Sequence, residues 1–142
     1  TNFIPDIYKV DILFVSNEKR LDTLDLDSVG FVIATSNLKD DIDNALFFNY
    51  SSFLGEGDAS DNAGAMLIRI LKSVGTKKIY LAGFDGFDID FSSNYAVATF
   101  KKPLDFNTIK KKNEDISKQL KLALNGAEYE ILTPTKYEIG NI

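Results

Sequence analysis

The sequence predicts an α/β fold: three layers around a mostly parallel sheet of about five strands. Three observations predict it. Short apolar runs of strand length recur along the chain, at 10–16, 29–34, 45–50, 79–82 and 128–132. Two longer stretches, 61–74 and 105–124, carry their apolar residues at three- and four-residue spacing, the mark of a helix with one buried face. Helices fall between several strands, which implies parallel pairing through crossovers.

Taken in order, residues 1–9 are irregular, with Pro5 restraining the backbone, and lead into the first strand, 10–16. Residues 17–28 read as a short charged helical turn, since Leu21 and Leu24 share a face and Asn17 stands where a cap is needed. The second strand, 29–34, ends in Thr35-Ser36-Asn37; an acidic connector follows, then the aromatic strand 45–50 and a Gly-containing polar loop, 51–58. In the 61–74 helix, Ala63, Met66, Leu67, Ile70, Leu71 and Val74 form the predicted buried face, and Arg69, Lys72 and Ser73 the polar one. Ser60 or Asp61 is expected to cap its start and Gly75 to close its end. Residues 79–82 then read as a strand covered on both faces, with Tyr80 packed among core residues, and it runs into Gly83-Phe84-Asp85-Gly86. A further short strand is expected at 95–100. The last helix, 105–124, is capped by Asp105 or Asn107, buries Ile109, Ile116, Leu120 and Ala123, and stops at Asn125-Gly126.

Length and composition bound the chemistry. The 142 residues suffice for a single domain that buries roughly two thirds of its unfolded surface. A net charge of −5 and an isoelectric point near 4.7 provide no basic field for nucleic acid or an anionic membrane. The one basic cluster, Lys110-Lys111-Lys112, reads as a solvated helix face. There is no Cys, which excludes thiolate chemistry, and no His, which removes the commonest neutral-pH base and every Ser-His-Asp arrangement. No apolar run reaches the ~18 residues of a membrane span and no signal peptide is seen, so a cytoplasmic location is expected. The start at Thr1 rather than Met suggests an excised domain, residues 1–142, or a processed product, and a piece of something longer is the favoured expectation.

Candidate chemistry gathers at predicted strand ends: Ser16-Asn17, Thr35-Ser36-Asn37 and Gly83-Phe84-Asp85-Gly86. In a parallel sheet these fall along one edge, where open α/β sheets bind ligands, and the start of the 61–74 helix faces the same edge with its free N–H groups. The plainer readings stand beside these: Asn and Ser as turn and cap residues, Gly83 and Gly86 as sources of backbone freedom, and Asp88 and Asp90 as a solvated acidic loop without calcium-loop spacing. No G-x-G-x-x-G and no P-loop lysine motif occurs.

Asn62-x-Gly64 followed by Lys78-Ile79-Tyr80-Leu81-Ala82-Gly83-Phe84-Asp85 resembles the Rossmann-like domain shared by bacterial sialyltransferases that use a CMP-sugar and by 6-hydroxymethylpterin diphosphokinase-like proteins. The strand 11–16 ending in Asn17, and Ser92-Ser93-Asn94-Tyr95-Ala96, are similar to further segments of that domain, the second placing a Tyr near the sugar nucleotide. More narrowly, Asp61-Asn62-Ala63-Gly64 through Asp85-Gly86-Phe87, with Glu130-Ile131-Leu132-Thr133-Pro134-Thr135-Lys136-Tyr137, resembles the carboxyl-terminal domain fused behind an aldolase barrel of the 4-hydroxy-2-oxovalerate aldolase or hydroxymethylglutaryl-CoA lyase type.

The resemblance implies a Rossmann-like accessory domain whose upstream barrel carries the aldol chemistry and any divalent metal, with no metal or cofactor of its own. It implies a nucleotide or nucleotide-sugar on the sheet edge. Asn17 and Asn37 would contact base or ribose, the helix start at Asn62 to Gly64 would receive phosphate, Asp85 would hold the ribose or sugar with Gly83 on the same edge, and Tyr95 would lie near the donor. The transferases' His base has no counterpart here, so the resemblance points to binding before transfer. A glycosyltransferase-like enzyme and a docking module built on Phe47, Phe48 and Tyr50 are the alternative readings.

Overall fold

A computed structural model describes residues 4, 9–90, 92, 94 and 100–140. The chain divides into two compact units, Thr1–Leu54 and Gly55–Ile142. The expected strand at 95–100, Tyr95 and Pro5 lie outside the described residues, Phe100 excepted.

The first unit is a three-stranded parallel sheet in the order β1-β2-β3, with β1 at Ile12–Val15, β2 at Phe31–Thr35 and β3 at Leu46–Phe48. Ile12 pairs with Phe31 and Val15 with Ala34; Ile33 pairs with Leu46 and Thr35 with Phe48. Alternation along the strands sends Leu13, Val15, Val32 and Ala34 to one face, where Leu38, Ile42 and Phe47 join them and Leu21, Leu24, Leu26 and Val29 close the core. Parallel strands need a crossover, usually an α-helix. Here the crossovers carry only short 3-10 turns, Glu18–Thr23, Leu26–Ser28 and Ser36–Leu38. The expected helical turn at 17–28 is thus two 3-10 pieces, consistent with a Leu-Asp alternation at 24–27 too tight for an α-helical stripe.

The second unit holds α1 (Ala63–Ser73), β4 (Lys78–Leu81), α2 (Phe106–Leu124) and β5 (Glu128–Ile131). β4 and β5 are parallel neighbours, with Ile79 beside Tyr129 and Leu81 beside Ile131. These side chains meet Ala65 and Ile68 of α1, Ile116, Leu120, Ala123 and Leu124 of α2, and Ile139 in one core. Helix starts and stops follow the capping rules: Asp105 Oδ1 accepts from Thr108 N at 3.0 Å, and Gly75 and Gly126 turn the chain at φ 83° and 74°.

The structure makes four corrections. The five strands among the described residues form sheets of three and two, not one sheet of about five, so the fold is a mixed α/β arrangement with parallel pairing. β4 is covered on one face only: Tyr80 is 57% exposed, not packed in a core, and Lys78 lies 4.9 Å from its ring centroid while pairing with Glu128 and Glu130. The cap of α1 is Asn62, not Ser60 or Asp61, because its Oδ1 is the acceptor that reaches Ala65 N at 3.0 Å. The buried side of α1 is also wider than one stripe. Gly64, Ala65 and Ile68 are buried, whereas Val74 is 62% exposed. On the expected polar face, Arg69 Nη2 donates to Gln119 Oε1 at 2.8 Å, and Lys72 Nζ donates to Ala123 and Asn125 carbonyls at 2.9 and 2.6 Å. Lys72 thereby caps the carboxyl end of α2, where carbonyls lack helical partners.

Candidate functional site

The sequence-derived site residues fall on two separate sheet ends. In the first unit, Ser16 and Asn17 follow β1, Thr35 ends β2, and Asn37 lies in the turn after it. Asn17 Oδ1 accepts from Lys19 N at 3.0 Å and so caps the 3-10 turn. Asn37 Nδ2 donates to Ser16 O at 3.3 Å and ties the ends of β1 and β2 together. Ser36 Oγ accepts from Tyr50 N at 3.0 Å, fixing the end of β3 to the same edge. The Thr35 hydroxyl is fully buried and has no hydrogen-bond partner among the described residues. Of the aromatic trio offered as a docking patch, Phe47 packs on the core and Phe48 meets Phe53 edge-on, with centroids 5.6 Å apart.

In the second unit, the Gly83–Gly86 turn and the start of α1 do come together. A Cβ added to Gly64 would lie 2.6 Å from Phe84 Cε1, so the ring of Phe84 rests directly on the first turn of α1. Asn62 spends its side-chain oxygen on capping that helix. Both residues therefore have a packing or capping task at the place the resemblance assigns to phosphate.

The loop after β4 is held at several points. Gly83, at φ 72°, donates its N–H to Thr133 Oγ1 at 2.9 Å. Lys136 N donates to Asp85 O at 2.9 Å. Gly86, at φ 87°, lies so close to Lys136 that an added Cβ would come within 2.9 Å of the lysine Cβ. Asn113, reaching out of α2, accepts from Phe87 N at 2.8 Å and donates to Phe87 O at 2.9 Å. Asn94 grips Asp88 in the same two-point way, at 2.6 and 2.8 Å. Lys112 lies 5.2 Å from the Phe87 ring centroid.

Within this clamped loop, the exposed Asp85 carboxylate bonds to no group among the described residues. Asp88 differs: its carboxylate pairs with Lys136 Nζ and also accepts from Ile89 N at 2.6 Å. Asp90 accepts from Ser92, whose hydroxyl and amide hold its carboxyl below the usual range. Among the described residues no group of three or more His, Cys, Asp or Glu is placed to hold a metal ion, and no helix is long and apolar enough to cross a membrane.

Asn113, Thr133 and Lys136 as loop holders were not singled out from sequence. Asn113 carried the one usable signal, a polar side chain four residues after buried Ile109 on the inward face of a helix. Compared with known proteins, the chain matches no family model, no curated protein and no solved structure.

Proposed function

We propose that this chain is a cytoplasmic accessory carboxyl-terminal domain of an aldolase-type lyase, and that it binds a nucleotide or nucleotide-sugar at the carboxyl end of β4. The support is the motif resemblance together with one geometric observation: the Asp85 carboxylate, unbonded among the described residues, on a loop fixed from both sides. A carboxylate accepts two hydrogen bonds from vicinal hydroxyls at once, the pattern a ribose or sugar presents. Because the loop is already ordered, ligand binding spends little on arranging it. Catalysis is assigned to the upstream barrel; this chain has no His, and Tyr, with an ordinary pKa of about 10, is a poor base at neutral pH.

Calorimetric unfolding with cytidine, CMP and CDP tests the proposal. A ligand at a hundred times its dissociation constant adds about 2.7 kcal/mol to stability, which raises the melting temperature by several degrees. The expected result is a shift in the wild-type chain that disappears in Asp85→Asn, whose unliganded melting temperature stays near that of wild type. No shift with any of the three, or one that Asp85→Asn leaves intact, overturns the assignment.

A further inference from the structure

The Asp85 loop carries a second charge whose placement the ribose contact does not use. Lys136 lies against the loop through its main chain, by the bond to Asp85 O and the close approach of Gly86, while its ammonium rests on Asp88. Both side chains of that ion pair are about half exposed, at 48% and 44%. Exposed pairs of this kind add little stability. The loop, moreover, is held without it, by Thr133 on Gly83, Lys136 N on Asp85, Asn113 on Phe87 and Asn94 on Asp88. If Lys136 lets go, Asp88 keeps the Ile89 N–H on its other oxygen. The lysine stem is long and flexible, so its ammonium can be re-aimed while its backbone stays in place.

We infer that Lys136 is the phosphate contact of the Asp85 site and that Asp88 is a built-in competitor which holds the ammonium until an anion replaces it. The inference rests on the binding reading given above and narrows it to ligands with hydroxyls at one end and a phosphate at the other. A phosphate monoester carries more charge than one carboxylate and offers three acceptor oxygens, so it takes the ammonium from Asp88. Asp85 receives the hydroxyls, and the neutral nucleoside gains only that half of the site.

Titration calorimetry with cytidine and CMP, on wild type, Lys136→Met and Asp88→Asn, decides the matter. Wild type is expected to bind CMP about tenfold more tightly than cytidine, one charge-assisted contact's worth. Lys136→Met should bring CMP down to the affinity of cytidine without changing cytidine itself. Asp88→Asn, which keeps the side-chain shape and removes the competing charge, should tighten CMP several-fold and leave cytidine alone. Equal binding of cytidine and CMP by wild type, or CMP binding unchanged in Lys136→Met, overturns the role of Lys136 while the Asp85 contact stands. Unchanged CMP affinity in Asp88→Asn overturns the competition. Binding of neither ligand removes both the role of Lys136 and the site.

Discussion

Gly64 shows how much one hydrogen atom decides in this chain. Replacing it with Ala improves helix propensity by about 1 kcal/mol, but the new methyl would lie 2.6 and 2.9 Å from two atoms of the Phe84 ring. Phe84 is partly buried and packed against the second unit's core, so its ring must shift to admit the methyl. Overpacking of this kind costs about 1–3 kcal/mol, so Gly64→Ala is expected to lower stability in urea unfolding. In a Phe84→Leu background the same substitution should change sign and stabilise, because only the propensity gain is left. Thr35 is the opposite case, a buried hydroxyl without a partner among the described residues. Its desolvation is uncompensated, and Thr35→Val should raise stability by about 1 kcal/mol, read as a higher calorimetric melting temperature. A drop would mean that the hydroxyl is satisfied after all.

At the scale of elements, capping governs the second unit. Asp105 holds the start of α2, and the Thr108 hydroxyl and amide pull its carboxyl below the ordinary 3.8. Asp58, bonded to Lys111, and Asp90, bonded to Ser92, are shifted the same way. A carboxyl lowered in the folded state contributes fully above its unfolded value, and that contribution is lost as pH falls through the folded value. The melting temperature should therefore be steady in the near-neutral range and fall as the pH drops below about 4. Asp105→Asn keeps a capping oxygen without the titrating group, so a melting series in acid should show a shallower fall. Both α-helices, their Gly stops and the five strands among the described residues were legible, because periodicity and turn residues are local signals. Sheet membership was not, since hydrogen bonding between strands far apart in sequence leaves no local trace. The exposure of Tyr80 was missed because Ile79-Tyr80-Leu81-Ala82 reads as continuously apolar, although its partner strand, with Glu128 and Glu130, already alternates. In the candidate site, the strand-end clusters were found, but Asn62, Gly64 and Asn37 have structural tasks that only three-dimensional contacts reveal.

For the whole molecule, lysines are arranged beside carboxylates. The 16 Lys and Arg are outnumbered by 21 Asp and Glu. On α2, Lys110 pairs with Glu114, Lys111 with Asp58 and Lys121 with Glu138, so the lysine run presents no unbroken positive stripe. The chain should pass through a heparin column unretained at an ionic strength of about 0.15 M, where isolated surface charges are largely screened; retention would overturn the expectation, drawn from net charge, that polyanions are not its partners.

The absence of an α-helix from the crossovers of the first unit has a spectroscopic consequence. All α-helix among the described residues lies in Ala63–Ser73 and Phe106–Leu124, within the second unit. Far-ultraviolet ellipticity in the helical band therefore reports that unit almost alone, and there is no Trp to report the other by fluorescence. A melt followed by circular dichroism can look complete while saying little about the sheet built on Phe31–Thr35. The amide protons of that strand, followed by hydrogen exchange, are the probe that sees it.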